Sequence, residues 1–469
     1  MRPISLVRFD ALAGYARMPM ARAAAEELAW FEYAGGRVVG ALICDRADGD
    51  FGGVVFAQDK RLRFRATNVT QFEEVRRRAE VALRRAMEQA AMAPPEEHYQ
   101  GDEKAPPVDF FAFTRPREQL NRDFLSLAEL EGYSAGRQII EPMMRWFDDA
   151  DGNFIEQFQT TGFNQRIWEL YLFAAFTEMG YVLDRRHPIP DFMLDGPFGE
   201  VAVEAVTVGP TRGGNMAPPP TLDTREGAIA YLRQYMPIKF GSALFSKLQK
   251  KYWEQSNVAG KPLALAIEDF SSPGSMIGSR SALDVYLYGY EHDWAHSDTG
   301  RLNITPRKVA EHRWGRKVIP AGFFDQPEAE HVSAVLFSNS GTIAKFNRIG
   351  VIAGFGSPRV LVVRQGTAVN HDPDAAAPHT FRHVVNAPTY RESWVEGLDV
   401  FHNPRALCPL DERTLPGAAH HYLTPDGHRL SRTPDWHPLA SITNHFVPVD
   451  VEMILAQLAA GEPVRPDHC

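Results

Sequence analysis

The sequence predicts an α/β fold, and three stretches in the middle of the chain carry this prediction. In residues 161–180 the apolar side chains recur every three or four positions, the period of a helix that packs one face on a core. Residues 200–208, EVAVEAVTV, are rich in β-branched and small apolar residues, as in a strand buried on both faces. Residues 262–267, PLALAI, predict a second buried strand. Helices combined with buried strands are typical of a layered α/β sandwich.

The segments between these three complete the predicted order of elements. Residues 181–185 predict a short strand, and the proline-containing His187–Pro190 stiffens the chain before a second extended run at 191–194. Asp195–Gly196 is a hairpin turn signal. Residues 241–255 again have helical spacing. The predicted order is therefore helix, three strands, helix, strand.

Acidic side chains occupy distinctive places in these elements. Glu169 lies among apolar residues of the first helix, and Gln165 shares its face four positions earlier. The alternative interpretation of Glu169, taken alone, is an acid at the rim of the helix whose carboxylate reaches water. Asp191 follows Pro190, and Glu204 lies deep inside the third strand. Since buried acids need a positive partner, the three acids together indicate a divalent metal site.

This arrangement resembles the core of the PD-(D/E)xK nuclease superfamily, the restriction-endonuclease-like fold with an αβββαβ core. The resemblance covers roughly residues 161–270 and rests on the helix acid, the Pro-Asp pair and the strand acid in that order. It implies that Glu169, Asp191 and Glu204 bind Mg²⁺ or Mn²⁺. It also implies hydrolysis of a phosphodiester bond by metal-activated water.

The sequence departs from the family pattern at one position. The family lysine, two residues after the strand acid, is replaced by Val206. Lys247 and Lys251 are four apart on the following predicted helix and are candidates to supply the missing charge, with Lys239 and Lys250 in reserve. The alternative for each of these lysines is a solvated helix face.

Composition narrows the class of protein. The chain has 469 residues, 59 acidic against 50 basic, and a formal net charge of −9, which argues against nonspecific adhesion to nucleic acid over its whole surface. Three scattered cysteines exclude a disulfide framework and a thiolate zinc site. No apolar stretch reaches the length of a membrane span, so a cytoplasmic location without a membrane partner is expected.

Three regions are expected from length and local composition. Residues 1–115 predict an N-terminal α+β domain for recognition or assembly, through which the chain could form a homo-oligomer or bind a partner protein. Residues 116–292 contain the nuclease-like core. Residues 293–469 predict a β-rich C-terminal region that is rich in histidine and aromatic residues.

Two features of the C-terminal region each have a structural and a functional interpretation. His379 and His383 would share a face if they lay on a helix and could form a transition-metal pair, whereas surface histidines are the alternative. The polar stretch Ser338–Thr342 follows an apolar strand and could offer backbone amides to an anion, or could be a tight turn.

The expected function is that of a metal-dependent phosphodiesterase, a nuclease with DNA favoured over RNA as its substrate. Glu169, Asp191 and Glu204 would hold the metal, Gln165 would orient water or a phosphate, and Lys247 or Lys251 would supply positive charge. A role in bacterial defence is expected by analogy. The alternatives are a nuclease-like binding or regulatory protein that lost its chemistry with the lysine, and an enzyme whose site lies in the histidine-rich region.

Overall fold

The structure is a computed structural model that describes residues 1–103, 106–147, 152–184, 189–211, 216–272 and 274–460. Three stretches named in the sequence analysis lie partly outside these residues. They are the last residue of the strand predicted at 181–185, the first two residues of His187–Pro190, and the C-terminal cysteine.

The N-terminal part of the chain forms an antiparallel sheet of five strands in the order β1-β2-β3-β4-β5. A long helix, α3, packs on one face of this sheet through Leu83 and Met87, and a short helix, α1, packs on the other through Phe9. The elements are β1 (Arg2–Ile4), α1 (Leu6–Ala13), α2 (Pro19–Ala24), β2 (Ala25–Tyr33), β3 (Val38–Asp45), β4 (Phe51–Gln58), β5 (Phe64–Val69) and α3 (Arg76–Met92).

The middle of the chain contains the predicted order of helix, three strands, helix and strand. The long helix α7 ends at Glu178, and Gly180, with a φ of 88°, turns the chain towards the first of the three strands. The elements are α4 (Arg122–Glu129), α5 (Ser134–Trp146), α6 (Phe154–Gln159), α7 (Phe163–Glu178), β6 (Val182–Asp184), β7 (Phe192–Gly196), β8 (Gly199–Val208), α8 (Arg225–Ala230), α9 (Met236–Leu248), β9 (Leu263–Asp269) and α10 (Met276–Tyr288).

The remaining part is rich in strands, as predicted. It contains two hairpins, β10-β11 and β12-β13, and a three-stranded antiparallel sheet in the order β16-β15-β20. The elements are β10 (Tyr290–His296), β11 (Leu302–Lys308), β12 (Glu311–Trp314), β13 (Lys317–Pro320), β14 (Ala334–Ser338), α11 (Ile343–Ile352), β15 (Leu361–Ala368), β16 (His379–Val384), β17 (Leu398–His402), β18 (Ala419–Leu423), β19 (Arg429–Arg432), β20 (Pro438–Phe446) and α12 (Val451–Ala459).

The largest sheet has eight strands in the order β19-β18-β17-β14-β9-β8-β7-β6. Strands β8, β9 and β14 are parallel to one another, and β6, β7 and β8 form an antiparallel meander at one end. Strands from both sides of residue 293 therefore share one sheet. A mixed α/β class is confirmed.

Helices cover both faces of this sheet. One face carries Val201, Val203 and Ala205 of β8 and packs against α7. The other face carries Ala202 and Val206 of β8 and packs against α9 and α10. Side chains therefore alternate between the two faces along β8, which assigns Glu204 to the face of α9.

The helix predicted at 241–255 is wrong at its C-terminal end. Helix α9 ends at Leu248, and Lys251 adopts a left-handed conformation with a φ of 51° that an α-helix cannot contain. Lys247 and Lys251 therefore do not share a helix face.

Within the described residues, no helix combines the length and the apolar character needed to cross a membrane.

Candidate functional site

Asp191 lies at the point where β7 begins to pair with β8. The first pair of this ladder is Phe192 with Val203, so Asp191 stands beside the middle of β8. Its Oδ2 accepts a hydrogen bond of 2.8 Å from the backbone N–H of Ala205. The carboxylate is thereby held against the backbone of the strand that carries Glu204.

Glu204 is buried in β8 and has two donors on its Oε1. The Nζ of Lys247 lies 2.5 Å away, and the hydroxyl of Tyr252 donates at 2.7 Å. Lys247 belongs to the last turn of α9, and Tyr252 belongs to the short turn that follows this helix. The next residue, Trp253, stacks on His331 with ring centroids 4.4 Å apart. The negative charge of Glu204 is therefore compensated by side chains at and just after the C-terminal end of α9.

Val206, at the position of the family lysine, is packed in the core between β8 and α9. A lysine side chain in this place would have to displace apolar contacts, and its charge would be desolvated. The cation nearest to the strand acid instead comes from α9. Lys247 thus places its positive charge on the face of β8 that carries Glu204 and Val206.

The other candidate lysines lie elsewhere. Lys251 pairs with Glu328 on the surface. The Nζ of Lys239 donates to the backbone oxygen of Gly209 at 2.7 Å and to the Thr211 hydroxyl at 3.0 Å, just beyond the end of β8. Lys250 is exposed. Of the four lysines considered, Lys247 is the one that contacts a predicted site acid.

Glu169 reaches the same region from the opposite face of the sheet. It is buried on α7, where its Oε1 accepts a hydrogen bond of 3.0 Å from Gln165 and its Oε2 lies 2.6 Å from Nη1 of Arg166. The side-chain oxygen of Gln165 accepts a hydrogen bond of 2.9 Å from the hydroxyl of Thr207 in β8. Gln165 therefore connects Glu169 to the strand of Glu204.

The electrostatics of Asp191 relate the three acids to one another. Burial, together with the negative charges of Glu204 and Glu169, raises the pKa of Asp191 to about 7. The hydrogen bond from Ala205 and the charge of Lys247 act in the opposite direction. Asp191 therefore experiences the negative charges of both glutamates, and its carboxyl group titrates near neutral pH.

The three acids are not gathered as closely as metal ligands would be. In the described part of the chain, the one group of at least three acid, histidine or cysteine side chains with ligand atoms all within 4.8 Å is Asp59, Asp102 and Glu103. Glu169 and Glu204 are each turned towards a cation of their own. The donor set of carboxylate oxygens nevertheless suits Mg²⁺ or Mn²⁺ in chemistry.

The acidic group in the N-terminal part already has its charges paired. Arg63 lies 2.7 Å from Asp59, and Arg65 lies 3.1 Å from Asp102. Glu103 accepts hydrogen bonds from two backbone amides of the preceding loop. This cluster therefore has the partners of a structural ion-pair network, and we assign no function to it.

Two sets of histidines in the C-terminal region bear on the predicted metal pair. His379 and His383 lie on strand β16, where His379 is exposed and His383 is half-buried, so they do not share a helix face. A second group is buried around Asp399, whose Oδ1 lies 2.8 Å from Nε2 of His421 and 3.1 Å from Nε2 of His437. Arg280 forms a bidentate pair with the same carboxylate, which holds the pKa of Asp399 well below its usual range.

The stretch Ser338–Thr342 connects β14 to helix α11. Its backbone is turned locally, with the amide of Ser340 donating to the Ser338 hydroxyl at 3.1 Å and the amide of Thr342 donating to the backbone oxygen of Ser340 at 2.7 Å. These amides are therefore used within the loop, as expected of a tight turn.

Sequence reasoning missed two residues of the site. Arg166 precedes Glu169 by three positions on a helix, and this spacing was a usable signal for an ion pair. Tyr252 follows the end of α9, and no local pattern relates it to Glu204.

A comparison with protein families, with curated proteins and with solved structures finds nothing that matches this chain.

Proposed function

We propose that the protein is a metal-dependent phosphodiesterase, a nuclease of the PD-(D/E)xK type that prefers DNA to RNA and uses Mg²⁺ or Mn²⁺. One observation carries the proposal. A lysine from α9 lies 2.5 Å from the acid inside β8, on the strand face where the family pattern requires a lysine. The element order around this pair supports the same interpretation.

The proposal gives each residue of the site a role. Asp191, Glu204 and Glu169 would hold the metal, which when bound polarises a phosphate oxygen and lowers the pKa of its water ligand. Lys247 places positive charge beside Glu204, where it would stabilise the negative charge that develops on phosphate. Gln165 fixes the orientation of Glu169 through its bond to Thr207.

Metal binding and the existing ion pairs would compete for the same oxygens. Lys247 now compensates the charge of Glu204, and Arg166 that of Glu169. A divalent cation held by these acids would take over this compensation, and Lys247 would then be available to contact a phosphate.

Cleavage assays with matched variants test the proposal. We expect Mn²⁺-dependent cleavage of plasmid or linear DNA, and a loss of about 100-fold or more in Asp191→Asn and in Lys247→Gln. Asp195→Asn, at an exposed position of β7, and Lys250→Gln, at an exposed position after α9, are the controls and should keep full activity. Equal cleavage by Asp191→Asn and the wild type would refute the proposal.

A second candidate is a binding or regulatory protein that has the scaffold without the chemistry. It is favoured by the partners of the two glutamates, since Arg166, Lys247 and Tyr252 compensate them without a metal. Heat stability with and without Mn²⁺ distinguishes the two. A rise with Mn²⁺ that disappears in Glu204→Gln favours the nuclease, and no rise favours the regulatory protein.

A further inference from the structure

A cavity of about 710 Å³ opens in the C-terminal part of the molecule, beside the three-stranded sheet of β15, β16 and β20. It is separate from the acid site in β7 and β8, since none of the predicted metal ligands lines it. Its walls include residues of β16, of the loop between β16 and β17, and of the loop before β20. This volume lies in the range of pockets that hold small organic ligands.

One wall of the cavity is aromatic. The ring of His383 lies 5.4 Å from that of Trp436 and 5.9 Å from that of Tyr390, measured between centroids. Phe381 supports Trp436 from behind in an edge-to-face contact at 5.0 Å. Burial and the charge of Arg364 lower the pKa of His383, which favours the neutral form of its ring. The wall therefore presents flat rings on which a planar group can stack.

A buried ion cluster lies beside the cavity, and two of its carboxylates, those of Glu392 and Glu396, line it. Glu392 forms a bidentate pair with Arg348 at 2.7 and 2.8 Å and lies 3.6 Å from Lys345. Glu396 accepts a bond of 2.6 Å from Arg364. Both carboxylates that line the cavity are thus paired with buried cations behind them.

The cluster also retains an unused donor. Nη2 of Arg364 is buried and has no hydrogen-bond partner, although the same side chain bonds to Tyr390 and Glu396, which line the cavity. A buried guanidinium donor without an acceptor is costly. The unsatisfied donor favours a further hydrogen-bond acceptor close to Tyr390 and Glu396.

Two arginines at the edge of the cavity bring positive charge to it. Arg382 is exposed on β16. Arg391 is exposed too, and Nη1 of its guanidinium donates to the backbone oxygens of Pro388 and Tyr390, at 2.5 and 2.8 Å. These acceptors are neutral, so the charge of Arg391 remains available. Guanidinium groups bind phosphate in a bidentate geometry that matches its oxygens.

We propose that this cavity binds a nucleotide, with its phosphate at Arg382 and Arg391 and its base stacked against Trp436 and His383. The proposal does not depend on catalysis at the acid site. The ligand could be a free nucleotide or the phosphorylated end of a nucleic acid strand, because both present the same phosphate and base. The buried ion cluster holds Tyr390 and Glu396 in place around it.

Calorimetric titration of the full chain tests this site. Adenosine 5′-monophosphate is the probe, with adenosine and inorganic phosphate as partial ligands. We expect the nucleotide to bind about tenfold or more tightly than either part, since both the base and the phosphate contribute. Arg391→Gln and Trp436→Leu should each weaken binding about tenfold, while Arg413→Gln, an exposed arginine paired with Asp411, should leave it unchanged.

A 5′-phosphorylated tetranucleotide distinguishes the two sources. Tighter binding of this oligonucleotide, with displacement of the mononucleotide, identifies a strand end, and the reverse order identifies a free nucleotide. Asp191→Asn should bind the mononucleotide like the wild type, which separates this proposal from the nuclease. Absence of binding at millimolar concentration, or equal binding by correctly folded Arg391→Gln, Trp436→Leu and wild-type protein, would overturn the proposal.

Discussion

Asp191 is the residue whose environment departs furthest from that of a free carboxyl group among the predicted site acids. Its pKa of about 7 follows from burial and from the charges of Glu204 and Glu169. A carboxyl group with this pKa is half-ionised at the pH of most cells. Both the stability of the fold and the affinity for a cation should therefore depend on pH through this residue.

Replacement of Asp191 by asparagine should stabilise the metal-free protein above pH 7. In the wild type, the folded state keeps the Asp191 proton up to about pH 7, whereas the unfolded chain loses it near pH 4. This group therefore removes stability as the pH rises between these values. Between pH 5 and pH 8 the free energy of unfolding of the wild type should fall by roughly 2 kcal/mol relative to that of Asp191→Asn. The asparagine side chain can still accept the hydrogen bond from Ala205.

Urea unfolding in the presence of a chelator measures this difference. Asp195→Asn, an exposed acid of the same strand, is the control and should follow the wild type at both pH values. A difference between Asp191→Asn and the wild type that does not change with pH would show that the acids do not act on Asp191 as described.

Affinity for Mn²⁺ should have the opposite dependence on pH. A metal binds the ionised carboxylate, so binding must release the proton that Asp191 holds below its pKa of about 7. We expect the apparent affinity to rise about tenfold per pH unit up to pH 7 and to level off above it. Calorimetric titration between pH 5.5 and 8.5 measures this, and a flat profile would exclude Asp191 as a ligand.

At the scale of elements, local patterns predicted some parts of the site and not others. The period of α7 and the alternation in β8 are properties of consecutive residues, so the positions of Glu169 and Glu204 followed from the sequence. The end of α9 at Leu248 did not follow from the sequence. Tyr252, just after this end, is hydrogen-bonded to Glu204, which is far away in the chain. The expectation that Lys247 and Lys251 share a helix face was wrong for this reason.

Helices α5 and α11 approach each other through glycine. A Cβ atom at Gly350 in α11 would lie 2.4 Å from the backbone oxygen of Ala135 in α5. We therefore expect Gly350→Ala to separate the two helices and to lower the free energy of unfolding by roughly 1–3 kcal/mol, measured by chemical denaturation.

Another helical glycine provides the control for this prediction. The nearest atom to a Cβ at Gly278 in α10 is Cδ2 of Leu232, at 3.6 Å, which is an ordinary contact. Gly278→Ala should therefore be neutral or stabilise the protein by less than about 1 kcal/mol. Equal effects of the two substitutions would contradict the close approach of α5 and α11.

At the scale of the molecule, the central sheet joins parts of the chain that composition alone separates. Strand β14 lies between β9 and β17, and two further strands, β18 and β19, continue the sheet beyond β17. Pairing between distant strands leaves no local signature in the sequence. The sequence therefore predicted the α/β class and the order of elements around α7, but not that the histidine-rich region completes the same sheet.

This topology predicts that the nuclease-like region does not fold alone. A fragment of residues 116–292 lacks β14, and with it the side chains of Val335 and Phe337 that pack against α9 and β9. We expect it to aggregate or to unfold without cooperativity, whereas a fragment of residues 106–460 keeps all eight strands and should unfold in one transition. Circular dichroism during heating measures both, and a cooperative transition in the shorter fragment would contradict this prediction.

The turn after α9 has one more consequence. Tyr252 holds Glu204, and the neighbouring Trp253 lies flat on His331. A cation that takes the oxygen of Glu204 away from Tyr252 should loosen this turn and shift the indole away from the imidazole. The intrinsic fluorescence of the protein should then change on addition of Mn²⁺, and the change should be absent in Trp253→Phe. Occupancy of the acid site would thus have a built-in optical reporter that requires no substrate.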